Sequence, residues 1–440
     1  MATSQGQINQ ANYNSALIPV DMSDFMFNPE LGKGRTLNEA AIFVLSKKLG
    51  KHKTVSRIDF KLADDTFIQR EFPIATLVSV ATATPLIFTV AAGLQYLIRP
   101  RDQLLDMKTG ETLFVTNVNL SSCQITCLRD MGAILGSPPT AAVADVLKNI
   151  GPARELGGTS DEGRTTQKVV SENFCSFIRT PVEIDEHMMN TETYGEAAWD
   201  VAKFKAAQEH RWAIEHAICL SVRSMNDAGT APGPFTDPIT GTKMIYTTGG
   251  IRQHLKGNIF DLSGAVYGGQ MTESFIDALG EQLSQNGGPE RFVFGGLHII
   301  TAFTQPAKNR LVLNDSYAKY GIRLQEYTTS CGLKLSFVPH PKMFTGHGTV
   351  DPTYGTLASE AWIIDMDFLE LVTMKNLDTK LYTGVGPTGI AQADLSGRKE
   401  EWRTTLGVRM YPGLDNPNNA TTANIQYLSP HGKIIGFTSY

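Results

Sequence analysis

The stretch that decides the fold is residues 193–223, TYGEAAWDVAKFKAAQEHRWAIEHAICLSVR. Thr193 and Glu196 stand at capping-box spacing, so a Thr hydroxyl and a Glu carboxylate can satisfy free N–H groups at a helix start. Behind them Val201, Phe204, Ala207, Ile214, Ile218 and Val222 recur at three- and four-residue intervals and form one apolar stripe. Asp200, Lys203, Glu209 and Glu215 fall off that stripe. The pattern predicts a helix over 194–223. Thirty residues at the α-helical rise make a strut of roughly 45 Å, enough to cross most of a subunit.

Upstream of the strut the chain reads as β. Residues 104–107, 111–118 and 123–128 look like successive strands, with Lys108-Thr109-Gly110 and residues 119–122 as turns. Cys123, Ile125 and Cys127 alternate, which puts them on one face of the third strand. Residues 132–163, rich in small side chains and holding Pro138-Pro139, read as a loop with a short helical piece. Residues 1–35 carry no sustained period and many Gln, Asn, Gly and Ser; they suit an arm that takes shape only against another surface. Thr36 and Glu39 form a second capping box for a short helix ending at Gly50. No charged helical stretch precedes the arm, so a fused scaffold domain is not expected.

Downstream, residues 226–250 are rich in Gly, Pro and Thr and read as a loop or hairpin. Thr272 starts a helix that stops at Gly287-Gly288. Residues 291–294 make a buried strand and 297–303 a further helix. Residues 322–328 and 333–338 alternate as a hairpin about Cys331-Gly332, and 361–372 and 402–410 are strands. The order is mixed α+β without regular βαβ alternation.

Composition narrows the function. The 440 residues suffice for two or three cored domains, and the formal net charge is -5. Phosphate neutralisation needs clustered Lys and Arg, so this is not a sequence-evident nucleic-acid binder; weak acidity suits a container that must not stick to DNA inside it. Five scattered cysteines point to a reducing compartment rather than disulfides. The polar first thirty residues are no signal peptide, and the longest apolar run, 86–98, is too short to span a bilayer. A soluble cytosolic product, away from membranes, is expected.

Catalytic motifs do not assemble. Gly384-Val385-Gly386-Pro387-Thr388-Gly389 matches GxGxxG, but residues 377–383 are too polar for a central strand and no apolar helix follows, so a plain loop fits better than a pyrophosphate cradle. Asp365 and Asp367 would share a strand face and could hold a hard cation, although a solvated edge is the commoner outcome. His210 and His216 lie six apart, on different helix faces. His340 and His347 have no cysteine nearby, and Cys123 with Cys127 lacks two further zinc ligands. No cofactor, metal or enzymatic activity is expected.

The order of segments resembles the major capsid proteins of tailed bacteriophages. These share the Hong Kong 97 fold, and the resemblance is to a subfamily with a β-rich insert before the long helix. The likeness runs through residues 111–116 and 128–133, Pro152-Ala153-Arg154-Glu155-Leu156-Gly157, Ser171-Glu172-Asn173-Phe174 and Thr180-Pro181-Val182-Glu183-Ile184. It continues through Gly249-Gly250-Ile251, Tyr320-Gly321-Ile322, Val338-Pro339-His340-Pro341, Ile364-Asp365-Met366 and Thr405-Leu406. Arg129-Asp130 replaces the usual Arg-Gly, and His187, Met188 and Met189 enrich the turn before the helix. The resemblance implies an arm with a short helix (1–55), an extended loop with insert (56–185), a spine helix with peripheral domain (186–254), an axial domain (255–360) and returning peripheral strands (361–440). It implies self-assembly into hexamers and pentamers of an icosahedral head around double-stranded DNA, without sequence-specific binding. Portal, scaffolding and decoration or cement proteins would be partners, and assembly would take place in the host cytoplasm. An encapsulin-like nanocompartment shell, another virion protein and a nucleotide-binding enzyme using the 384–389 loop are the alternatives.

Overall fold

The computed structural model describes residues 41–65, 70–129, 131, 139–154, 156, 168–185, 198–264, 267–304, 311–314, 324–340, 357, 360–383, 397–415 and 429–437. The arm, Thr36, Glu39, Thr193, Glu196, the turn at 187–189, His347 and the 384–389 loop lie outside these residues. Two compact units result: residues 1–61, 172–414 and 429–440 form one, and 62–171 with 415–428 the other.

Among the described residues the first unit contains two main sheets besides the short hairpin of Phe235–Thr236 with Met244–Ile245. In the smaller, the 14-residue strand Gly397–Met410 pairs antiparallel with Ser176–Asp185 on one side and with Leu369–Met374 and Lys380–Thr383 in succession on the other. His52–Val55 adds in parallel to Leu369–Met374. The long helix, Ala198–Leu220, lies against Ser176–Asp185 and Gly397–Met410. Its Ala, Lys, Gln and Glu content favours helix. The helix stops at Leu220, short of the expected Arg223, whose N–H donates to Gln253 Oε1 at 2.8 Å instead of to a carbonyl one turn back. Gly250 N donates to Ser221 O at 2.7 Å, and Thr247 Oγ1 donates to Val222 O at 2.6 Å. A Cβ on Gly250 would stand 2.9–3.0 Å from the carbonyl oxygens of Ile218, Cys219 and Ser221, so only glycine lets this loop close on the helix end.

The larger sheet has, among the described residues, seven strands in the order Ile259–Asp261, Gly432–Ile435, Ala361–Ile364, Glu290–Gly295, Lys334–Pro339, Leu324–Thr328, Leu311–Asn314. Its middle strands are apolar on both faces, as a doubly covered sheet requires. Phe292, Phe294, Val338, Trp362 and Ile364 join Ile214 and Ile218 of the long helix in one core. Val293, Leu335, Phe337 and Ile363 point the other way, against Phe275, Ile276 and Leu279 of helix Glu273–Ser284 and Ile299 and Phe303 of helix Leu297–Thr304. Thr272 caps the former, accepting from Phe275 N at 3.3 Å.

The second unit is an all-antiparallel sheet in the order Glu71–Pro73, Val146–Pro152, Asp102–Asp106, Thr112–Asn119, Gln124–Leu128, Leu86–Thr89, Thr76–Leu77. Its two outermost strands are consecutive in the chain, joined only by Ile74-Ala75. Six spacings of a flat sheet would separate them by roughly 29 Å. Three residue steps reach only about 11 Å. The sheet therefore curls into a barrel whose two end strands meet at Ile74-Ala75, with no ladder between them among the described residues. Ile74 N donates to Asp145 O at 3.0 Å beside one edge, and Ala75 N donates to Thr89 O at 2.9 Å on the other. Phe72, Phe88, Leu104, Leu113, Val115, Ile125 and Leu147 fill the interior. A buried bidentate pair ties its loops: Arg129 Nε and Nη2 reach Glu111 at 2.8 and 2.6 Å, while Nη1 holds Ala81 O at 2.7 Å and Nη2 holds Pro139 O.

Several expectations need correction. Val146–Pro152 is a strand where a loop was expected: Leu147 and Asn149 are buried, and its alternation is masked by Lys148, Gly151 and Pro152. Cys123 does not share the face of Ile125 and Cys127; it sits in the preceding turn with φ 53°, and the strand starts at Gln124. The 361–372 strand is interrupted. Asp365 accepts from Asp367 N at 3.0 Å, starting a 3-10 turn, Met366–Phe368, before Leu369–Met374 resumes.

Candidate assembly surfaces

The strut is the natural starting point. Ile214 and Ile218 are buried, and with them Ala206, His210, Glu215 and Cys219; Val201 and Ala207 are half-buried. Phe204 is 39% exposed, and Val222 lies beyond the helix and is 62% exposed. The buried face thus runs Ala206–His210–Ile214–Ile218, a strict four-residue step, and leaves Phe204 turned partly to solvent. The stripe through Phe204 and Val222 is corrected on that count. Hydropathy alone concealed the rotation, because two of the buried side chains are His and Glu.

Glu215 was expected off the buried stripe. The structure buries it instead, with three donors: Ile42 N at 2.9 Å and Phe43 N at 3.1 Å, at the start of helix Ala41–Lys48, and His340 Nε2 at 3.0 Å. A carboxylate at a helix N-terminus meets both free N–H groups and the positive end of the helix dipole. His210 bridges the two strands beneath the helix, with ring nitrogens 2.9 Å from Thr180 Oγ1 and 2.7 Å from Thr404 Oγ1. Burial holds its pKa below the ordinary imidazole value. His216, by contrast, is exposed. A periodicity search misses such polar contacts because their partners lie far along the chain.

The paired-aspartate reading separates into two ion pairs. Asp365 Oδ2 accepts from Arg291 Nη1 and Gly288 N, both at 2.8 Å, and Asp365 N donates to His431 Nδ1 at 3.0 Å. Asp367 faces out and meets Lys51 Nζ at 3.0 Å. Among the described residues no group of three or more His, Cys, Asp or Glu is placed to hold a metal ion. Burial raises the thiols of Cys127 and Cys219 and pushes Cys175 up to about 12, so these three stay protonated and unreactive near neutrality. The strand before the 384–389 loop, Lys380–Thr383, is an antiparallel edge strand, not the central parallel strand that a pyrophosphate loop follows.

What the described surface offers is apolar area. In the first unit Phe177, Phe204, Leu297 and Phe368 are exposed, and Ile239 is 92% exposed at the tip of the hairpin Phe235–Thr236 with Met244–Ile245. Asp237 fixes that tip, accepting from Ile239 N at 3.0 Å and Thr240 Oγ1 at 2.8 Å, and those bonds lower its pKa. The barrel unit exposes Tyr96, Leu120, Leu128 and Ile150. These groups sit singly on separate elements, and singly exposed apolar side chains do not by themselves mark an interface.

Several solved structures align with the chain at low identity and with TM-scores below 0.5. The capsid of a native GTA particle aligns over 97% of this chain and 97% of its own at 7% identity, with a TM-score of 0.45. A Mycobacterium phage Bobi chain aligns over 96% of both chains at 9% identity, with a TM-score of 0.38. The holo-SrpI encapsulin complex from Synechococcus elongatus PCC 7942 aligns over 62% of this chain and 78% of its own at 8% identity, also with a TM-score of 0.38. No curated protein matches the sequence. The family model described as SU10 major capsid protein, however, matches residues 7–395, most of the length, and the chain accordingly belongs to the SU10 major capsid protein family.

Proposed function

We propose that copies of this chain associate as hexamers and pentamers into the icosahedral head of a tailed phage, in the Hong Kong 97-like manner, enclosing double-stranded DNA without reading its sequence. The family match over residues 7–395 carries this reading. Cyclic, head-to-tail contacts suit a subunit whose exposed apolar groups lie on different elements. The role is geometric and non-catalytic. Residues 1–55 serve as the arm with its short helix, 56–185 as the extended loop and insert, 186–254 as spine and peripheral domain, 255–360 as axial domain and 361–440 as the peripheral return. Portal, scaffolding and decoration or cement proteins complete the particle, which assembles in the host cytoplasm. Thr36, Glu39, Thr193 and Glu196 act as helix caps in this scheme.

Negative-stain microscopy of the expressed chain tests the proposal. Closed, uniform particles are expected. A compact monomer under all conditions that turned over a small molecule would overturn it. Removing residues 1–35 should weaken assembly and leave the subunit folded, as circular dichroism would register.

A further inference from the structure

An exposed isoleucine is ordinary in itself, but Ile239 is held out by a loop fixed at every step. Asp227 accepts from Thr236 N and from Thr236 Oγ1, both at 2.7 Å, which pins the hairpin to the turn before it. Asp237 N donates to Lys243 O and Gly241 N donates to Asp237 O, both at 2.8 Å. The Asp237 carboxylate takes Ile239 N and Thr240 Oγ1, and Gly241 completes the turn at φ 66°. A loop ordered in advance loses little conformational entropy when it binds. Residues 238–242, Pro-Ile-Thr-Gly-Thr, carry no charge, so this tip can leave water without stripping an ion.

The base of the same hairpin frames a concave surface of about 570 Å³. Pro232, Pro234 and Tyr246 line it from the hairpin side, and Phe174 and Met374 from the ends of two strands; the Phe174 and Tyr246 ring centroids lie 5.7 Å apart. The charged side chains around it are engaged in ion pairs, Arg57 with Asp59 at 3.0 Å and Glu172 with Lys61 at 3.4 Å. An apolar, uncharged side chain is the fitting occupant. Ile239 does not serve its own groove: five residue steps, up to about 16 Å of strand, separate it from Pro234, and the ladder and the aspartate bonds keep the tip from folding back. Knob and groove thus stand at the two ends of one module. We propose that Ile239 of one copy seats in the Phe174–Tyr246–Met374 groove of a second copy. This rests on the shell reading above and names one of its contacts. A shell of identical chains offers every groove such a knob, and a knob that fits a groove elsewhere on the same molecule makes a head-to-tail contact, which closes into rings when the rotation allows.

The test uses the full-length chain with an aliphatic diazirine amino acid in place of Ile239. Light-isotope and heavy-isotope copies are co-assembled, irradiated and read by peptide mass spectrometry. Cross-links from position 239 to the peptides that hold Phe174, Tyr246 or Met374, mixed between light and heavy copies, are the expected result. Cross-links only within one copy, only to other parts of the chain, or only to nucleic acid would overturn the proposal. Ile239→Asp should fold like the parent, since the side chain is 92% exposed, and should lower the yield of particles roughly tenfold or more. Ile239→Leu should keep that yield. Parent-like assembly of the aspartate variant, or an equal loss in the leucine variant, with melting curves showing both folded, would also overturn it. Intact shells without groove cross-links would sink this inference and leave the capsid reading standing; the absence of any particle would sink both.

Discussion

Glu215 gives the sharpest test of how the first unit is held together. Its side chain and that of His340 are 2% and 1% exposed. Glu215→Ala strands three donors in a dry environment: Ile42 N, Phe43 N and His340 Nε2. Each buried, unsatisfied donor costs about 1–3 kcal/mol, and partial access of water to the new cavity relieves some of that. Breaking a buried charged network by removing one partner costs about 3–5 kcal/mol, and we take about 4. Against a total stability on the order of 5–15 kcal/mol this is a large fraction. Glu215→Gln keeps one acceptor oxygen and should cost about half as much. Urea unfolding of the unassembled full-length chain, followed by far-UV circular dichroism, measures both. The damage should be local at first: amide hydrogen exchange at Ile42 and Phe43 should accelerate before the sheet strands respond, because Ile42 and Leu45 then lose the anchor that seats them in the core. An alanine variant within about 1 kcal/mol of the parent, with exchange at those amides unchanged, would refute the reasoning.

Other expectations follow from the same geometry. His431 is fully buried; desolvation first, then the charges of Arg291 and His254, hold its pKa down to about 3. The unfolded chain, with an ordinary imidazole value near 6.5, therefore binds more protons than the folded one between those limits. Stability should fall as pH drops from about 6.5 towards 3, at up to about 1.4 kcal/mol per unit, with no contribution above 6.5. His431→Asn, which retains an acceptor for Asp365 N, should flatten that slope by about one proton in urea titrations at several pH values. Ile214→Asp should abolish folding, since it sets a charge in the core, whereas Phe204→Asp should fold and lose particles; circular dichroism paired with microscopy separates the two. Gly250→Ala should cost about 1–3 kcal/mol through collision with the carbonyls of Ile218, Cys219 and Ser221, measurable as a lower urea midpoint.

Local signals proved readable and distant ones did not. The Thr272 cap, the strand read at 291–294 and observed as Glu290–Gly295, and the hairpin about Gly332 (φ 83°) depend on neighbours a few residues away, and each was visible in the sequence. The inward turn of Glu215 depends on partners 125 and 173 residues distant in the chain. The helix end at Leu220 depends on the Gly249-Gly250 turn, and Asn173 fixes that turn, accepting from Gly249 N at 2.8 Å. The strand Val146–Pro152 owes its place to pairing with Asp102–Asp106 and Glu71–Pro73, not to its own composition. The arm was legible only as a segment without a sustained period, rich in Gln, Asn, Gly and Ser. Nothing in the sequence brings Arg99, Arg101 and Arg154 together; they line one concave surface only once the barrel has formed.

The curl of that barrel also bears on how the protein survives before it is used. An unpaired strand edge is a ready template for pairing with another chain and for uncontrolled fibre growth. Joining Glu71–Pro73 to Thr76–Leu77 through Ile74-Ala75 brings the two end strands of the sheet together, with Ile74 N and Ala75 N already spent on Asp145 O and Thr89 O. Strands of three and two residues are all that the sheet leaves at its two ends, too short to template a long ladder with another chain.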